Sequence, residues 1–178
     1  MHGALAKLSH MYAKQSKSTH FQQKWDRLFR SVLPREPNVL KLKQAVPTRW
    51  NSRYDQIERA FKVRKVYDAI TSPETGEADL QCFHLSEEEW KLLEWLNEML
   101  HALSMCSHAV SLTTSVSLSL MIPLFTELIN TMEDNIDHLE SREEAELRKE
   151  AIKHAKDKLL KYYTHTLHNP WYTFAMSE

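Results

Sequence analysis

The sequence predicts a mainly α-helical chain, and three observations carry that prediction. Its 178 residues hold two glycines, Gly3 and Gly76, where average usage of about 7% would give about a dozen. The tight primed turns that close β-hairpins depend on glycine, so an all-β sandwich or barrel is disfavoured. Capping signatures at Thr19/Gln22, Ser86/Glu89 and Ser141/Glu144 stand before runs whose apolar residues recur at three and four.

Taken in order, residues 3–15 form a first helix with Leu5, Leu8 and Tyr12 on one side. The Thr19/Gln22 pair opens a second, with Phe21, Trp25, Leu28 and Phe29 as its apolar face, running into Leu33-Pro34. Pro34 and Pro37 bound a linker, and residues 39–42 are the one short extended segment expected before Pro47. Thr48 is a good N-cap for a helix over residues 49–70, whose stripe is Trp50, Tyr54, Ile57, Phe61 and Tyr67. Pro73 and Gly76 mark residues 71–85 as a loop. Ser86/Glu89 then opens a long helix with Trp90, Leu93, Leu96, Leu100 and Leu103 in phase.

Two periods collide further on. Residues 115–120 alternate Ser-Val-Ser-Leu-Ser-Leu as a strand would, whereas Pro123 with Leu124, Leu128, Ile129, Met132, Ile136 and Leu139 reads as a helix. Helix throughout is the expectation. A last long helix follows Ser141, with Leu147, Ala151, Ala155, Leu159 and Tyr162 in register, and ends at Asn169-Pro170.

The net charge of −1 hides a division. Through residue 69 there are fifteen Lys/Arg against five Asp/Glu, a balance of +10; from residue 70 there are eight against nineteen, or −11. The expected organisation is a basic helical part over residues 1–70, the loop at 71–85 and an acidic helical part over 86–178, all one truncated domain. A basic segment of this kind is a reason to look for a polyanion partner.

Several functions are disfavoured directly. Phosphate-cradling loops need several glycines within one turn, and none is present. Cys82 and Cys106 are too few for a disulfide scaffold and suit a reducing, intracellular setting. Both occur as Cys-x-His, but Cys106 and His108 sit two apart in a helical pattern and point about 200° from each other, which cannot grip one zinc ion. The uncharged stretch between Glu98 and Glu127 is studded with Ser and Thr and broken by Pro123, so it is not a membrane span. Glu87-Glu88-Glu89 reads as first-turn acids that complement a helix dipole rather than as catalytic carboxylates.

The segment Ala45-Val46-Pro47-Thr48-Arg49-Trp50-Asn51-Ser52-Arg53-Tyr54, continuing to Ala60, resembles the TRWNS-x-Y-x-x-x-x-R element of hAT-superfamily transposases and of host proteins derived from them. The order of loop, Trp90-bearing helix, Ser/Thr-rich stretch and Pro123 helix resembles the same region, and Lys161-Tyr162-Tyr163 followed by residues 171–176 resembles the approach to a later family block. The resemblance implies the helical insertion region of an RNase H-like domain. Such enzymes hold Mg or Mn with two Asp and one Glu, and this chain is expected to lie between those residues, with no catalytic residue, metal site or cofactor of its own.

By resemblance, Arg49 and Trp50 are DNA-binding residues in a nuclear protein. Arg49 offers a planar cationic fork to phosphate. Trp50 either stacks on an unpaired base or heads the apolar stripe that it shares with Tyr54 and Ile57. Lys41, Lys43, Arg53, Arg59, Lys62 and Arg64 either grip the DNA backbone or form a solvated basic face. DNA is the expected partner, with a homo-oligomer possible through opposite-charge pairing, and neither membrane nor small-molecule substrate is expected. The alternative is a domesticated, non-catalytic helical module for protein contacts.

Overall fold

A computed structural model of the protein describes residues 3–46, 50–74, 76–112, 121–137 and 143–175. These form α1 (Ala4–Lys17), α2 (Thr19–Val32), α3 (Trp50–Lys62), α4 (Arg64–Thr71), a 3-10 turn (Gln81–Phe83), α5 (Glu87–Leu112), α6 (Met121–Asp137), α7 (Glu143–Leu167) and α8 (Pro170–Ala175), with no strand among the described residues. The fold is all-α, as the glycine count and periodicity require. The alternation at 115–120, the caps at Thr48 and Ser141 and the motif residue Arg49 lie outside the described residues.

The chain divides into two compact units, residues 1–101 and 102–178. Counted by unit, the charge contrast shrinks to +3 for the first and −4 for the second. Acidic residues of the 74–98 stretch thus belong with the basic helices of the first unit.

In that unit α1 and α2 are separated by a single residue, Ser18, held extended at φ −120° and ψ 111°. The N-cap of α2 is Ser18 rather than Thr19. Its hydroxyl accepts the Phe21 N–H at 3.2 Å, which satisfies one orphan amide of the first turn. Gln22 reaches back to the Ser16 carbonyl instead. Leu8, Met11, Trp25 and Phe29 are all but fully buried.

The expected single helix over residues 49–70 is two helices broken at Val63. Its buried residues include Ile57, Ala60, Val63 and Val66, and a spacing of three retreats about 60° per step on a straight α-helix. Three such steps would carry the stripe to the opposite face. Val63 resolves the conflict at φ −111° and ψ 13°, sharing its N–H between the Arg59 and Ala60 carbonyls and accepting from Val66 and Tyr67. The chain bends there and the stripe stays buried.

Residues 33–46 form a strap without strand partners, so the expected extended segment at 39–42 has no ladder. Side chains from three helices hold it instead. Trp25 Nε1 donates to the Leu40 carbonyl at 2.9 Å, the Leu42 N–H donates to buried Gln15 Oε1 at 2.9 Å, and Arg59 Nη1 donates to the Lys41 carbonyl at 3.0 Å.

The loop after α4 is closed by Gly76, whose N–H bonds the Ser72 carbonyl at 2.9 Å while Glu77 bonds Ile70. A Cβ at Gly76 would stand 2.5 Å from Ser72 backbone atoms, which is why glycine is needed. Ser86 and Glu89 form a reciprocal capping box at 3.2 and 3.0 Å. Glu89 also accepts from Lys7 at 2.6 Å, joining α1 to α5. Trp90 packs against Phe61 and, edge-on, Tyr67, beneath the Arg64 guanidinium at 4.9 Å, and donates to Asp68 at 3.0 Å.

In the second unit α6 packs on α7. Leu128, Ile129 and Met132 are buried on α6, and Phe125 meets Tyr163 with ring centroids 6.1 Å apart. The buried face of α7 is offset from the expected register: Ile152 is buried, while Ala151, Ala155 and Tyr162 are exposed. Two alanines offer little apolar area, so the larger Ile152 and Tyr163 decide which side turns inward. Lys156 shares that side and pairs with Glu133 at 2.5 Å. Asn169 caps α8 through its Oδ1 and the Trp171 N–H at 3.1 Å, with Pro170 at the first helical position.

Candidate nucleic-acid interface

The motif segment is placed by the strap and by α3. Trp50 starts the helix. One turn in, the Ser52 hydroxyl donates to the Val46 carbonyl at 2.9 Å and accepts the Val46 N–H at 2.7 Å, so the two sides of the Pro47–Arg49 stretch are fastened to each other. Tyr54, the motif tyrosine, packs its ring on His101 and shares a 3.0 Å hydrogen bond between its hydroxyl and Nδ1. Partial burial, then the charge of Glu58, raises the Tyr54 hydroxyl pKa above its usual value.

The six other basic candidates separate into two groups. Lys43 pairs with Asp55 at 3.1 Å, Lys62 with Glu58 at 2.7 Å, and Arg64 with Asp68 at 3.4 Å and Glu87 at 2.5 Å. Burial works against the charge on Arg64, but its bonds to Glu87 and Asp68 outweigh it and raise its pKa. These three cations are engaged with carboxylates. Lys41, Arg53 and Arg59 meet neutral groups: Lys41 contacts Gln22 at 3.4 Å, Arg53 contacts Gln56 at 3.2 Å and Ser9 at 3.4 Å, and Arg59 takes the Lys41 carbonyl. The strap brings Lys41, Lys43 and Arg59 together along one side of α3, while Arg53 faces α1.

Other lysines of the basic helices are also paired: Lys14 with Asp79, and Lys24 with Glu77. The Lys14 ammonium, bonded to Asp79, holds that carboxyl below the usual range. Glu87, Glu88 and Glu89 occupy the first turn of α5, where hydrogen bonds from its own backbone N–H and from Ser86 lower the Glu88 pKa. Lys17, Arg27, Arg30 and Arg35 are exposed and make no ion pair among the described residues. They were absent from the sequence-derived set, although the amphipathic pattern of α2 could have located Arg27 and Arg30 opposite Phe21, Trp25 and Phe29.

Cys82 is exposed and Cys106 half-buried, where burial and then Glu127 push its thiol pKa up; His108 is exposed. Among the described residues no group of three or more His, Cys, Asp or Glu is placed to hold a metal ion. Nor is any helix among them long and apolar enough to cross a membrane.

The first unit is therefore an all-helical body in which the described part of the motif, from Trp50 onward, opens α3 beside the strap, and its class is that of a helical domain. Residues 1–99 match the family described as ZBED1 RNase-like helical domain, and the chain belongs to that family. The match ends within two residues of the boundary of the first unit. Over 134 residues the chain is 28% identical to a Talaromyces stipitatus protein named "Putative transcriptional regulator tpeD", covering 75% of this chain and 13% of that protein. That likeness is long enough to extend into the second unit, and the chain spans a small part of that relative's length. No solved structure matches the chain.

Proposed function

We propose that this chain is the helical region of a hAT-type transposase-like protein and that it contributes DNA contacts rather than catalysis. Arg49 and Trp50 are the central contacts, Arg49 for phosphate and Trp50 for an unpaired base. Lys41, Arg53 and Arg59, whose partners are neutral, assist at the backbone. Lys43, Lys62 and Arg64 would first have to give up Asp55, Glu58, Asp68 or Glu87. The observation that carries the reading is the family match over residues 1–99, which contains the whole Thr48–Ser52 segment. The regulator name of the relative fits a nuclear setting.

The test is binding of the 178-residue chain to duplex and hairpin DNA. Stacking on an unpaired base contributes about 1–3 kcal/mol, so Trp50→Ala should weaken hairpin binding by about 5- to 150-fold and duplex binding much less. Equal loss on both substrates would return Trp50 to the apolar stripe. No salt-sensitive binding by the unaltered chain would overturn the DNA reading.

A second reading, a non-catalytic module for protein contacts, has its own support. Tyr162, Leu167, Trp171 and Phe174 are 55, 43, 72 and 66% exposed on α7 and α8. Large exposed apolar groups gathered on adjacent helices mark an interaction surface. That reading is supported by concentration-dependent association in sedimentation that persists in high salt, and it fails if the chain stays monomeric.

A further inference from the structure

We infer that the outward face of α2 is a docking surface for the phosphate backbone of a nucleic acid, an inference that rests on the reading of the chain as a DNA-contacting module. Phe21, Trp25 and Phe29 define the buried side of this helix. On the opposite side Gln23, Arg27 and Arg30 are all exposed, with His20 one turn earlier. Arg35 is exposed just beyond the helix end, and Lys17 just before its start.

Among the described residues this face carries no counter-charge, whereas much of the basic charge elsewhere in the first unit is paired. Lys7, Lys14, Lys24, Lys43, Lys62 and Arg64 each have a carboxylate within ion-pair distance. Asp26 and Glu36 are the acidic residues of the first 54. Asp26 lies four residues before Arg30, yet it buries its Oδ1 and makes no ion pair with it. Arg27, Arg30 and Arg35 thus stand on one helix face and its end with no anionic partner among the described residues, set apart from Lys41, Arg53 and Arg59, whose neutral partners lie on the strap, α1, α2 and α3.

The chemistry of the face suits a regular polyanion. Guanidinium forks bind phosphate in a bidentate manner and give up water more readily than ammonium groups. His20 to Arg30 covers about 15 Å at 1.5 Å per residue, which matches about four nucleotides at 3.4 Å per strand step. The face carries no large apolar side chain, so it offers little to a protein partner beyond charge.

Salt dependence reads out this contact. Each phosphate neutralised contributes about 0.9 to the slope of log K against log salt for duplex DNA, so Arg27→Gln with Arg30→Gln should lower the slope by about two. Circular dichroism checks that α-helix content is kept. Lys43→Gln with Lys62→Gln removes the same formal charge from carboxylate-paired sites and should change the slope by less than about one. If the chain binds DNA and the double arginine variant keeps the full slope, the α2 face is not the docking surface, while the DNA reading stands. If the unaltered chain binds no DNA, both fall. Equal arginine-dependent binding to poly-glutamate with none to DNA would overturn the proposal in favour of an acidic protein partner.

Discussion

Lys7 and Glu89 lie 82 positions apart in sequence and 2.6 Å apart in space, and their side chains are 17 and 24% exposed. Lys7 also donates to the His84 carbonyl at 2.8 Å, while Glu89 holds the Ser86 N–H. Charge-assisted hydrogen bonds contribute about 1.5–3 kcal/mol, against about 0–1 kcal/mol for exposed ion pairs. Partial screening places this pair between those ranges, so a double-mutant cycle of Lys7→Met and Glu89→Ala should give a coupling of about 1–2 kcal/mol. Each single variant should cost about 2–3 kcal/mol, because each also strands a second hydrogen-bonding group. Ser86→Ala, which removes the cap but leaves Lys7 paired, should cost about 1 kcal/mol. Urea titration followed by tryptophan fluorescence reads the transition, since Trp25 and Trp90 are buried in this unit. A coupling below about 0.5 kcal/mol would refute the claim that the pair fastens α1 to α5.

Two further predictions concern the loop between α4 and α5. Gly76→Ala should cost about 1–3 kcal/mol, because relieving contacts of 2.5 Å with the Ser72 backbone and 2.7 Å with the Ile70 carbonyl means opening the two turn hydrogen bonds; an unchanged or higher Tm would contradict this. Tyr67 donates to the Phe83 carbonyl at 2.8 Å, and burial, followed by the charges of Asp68, Glu89 and Cys82, raises its pKa well above the usual tyrosine value. A raised pKa means its contribution is complete below the unfolded value of about 10 and is lost as pH rises beyond it. Tyr67→Phe should therefore cost about 1–2 kcal/mol at neutral pH yet show a smaller stability loss between pH 8 and pH 11 than the unaltered chain. Parallel urea titrations decide it.

Where the sequence spoke locally, it was legible. The Ser86/Glu89 box, the end of α7 before Asn169-Pro170 and the apolar face of α2 depend on neighbours within one turn, and each stands as expected. The α2 cap moved by one because both Ser18 and Thr19 can accept a backbone N–H, and the one-residue junction after Lys17 selects Ser18. The break at Val63 was written in the spacing of Ile57, Ala60, Val63 and Val66, but the more conspicuous aromatics implied a straight helix. The face of α7 depended on what α6 presents, which periodicity in α7 cannot supply. The basic residues were readable one by one. Partners one turn away, Glu58 for Lys62 and Asp68 for Arg64, are readable from spacing, but the distant ones are not, because Lys14 meets Asp79 and Arg64 meets Glu87 only after the loop folds back.

The strap has one more consequence. In a sheet, backbone order is shared along a ladder and survives most substitutions; here Leu40, Lys41, Leu42 and Val46 are each held by one side chain, from Trp25, Arg59, Gln15 and Ser52. Only Trp25 and Gln15 among those four are buried, so the remaining fastenings can change without disturbing the core. The strap is thereby a tunable element: single surface substitutions at Ser52 or Arg59 would alter its local opening at Val46 or Lys41, while the helices beneath keep their packing.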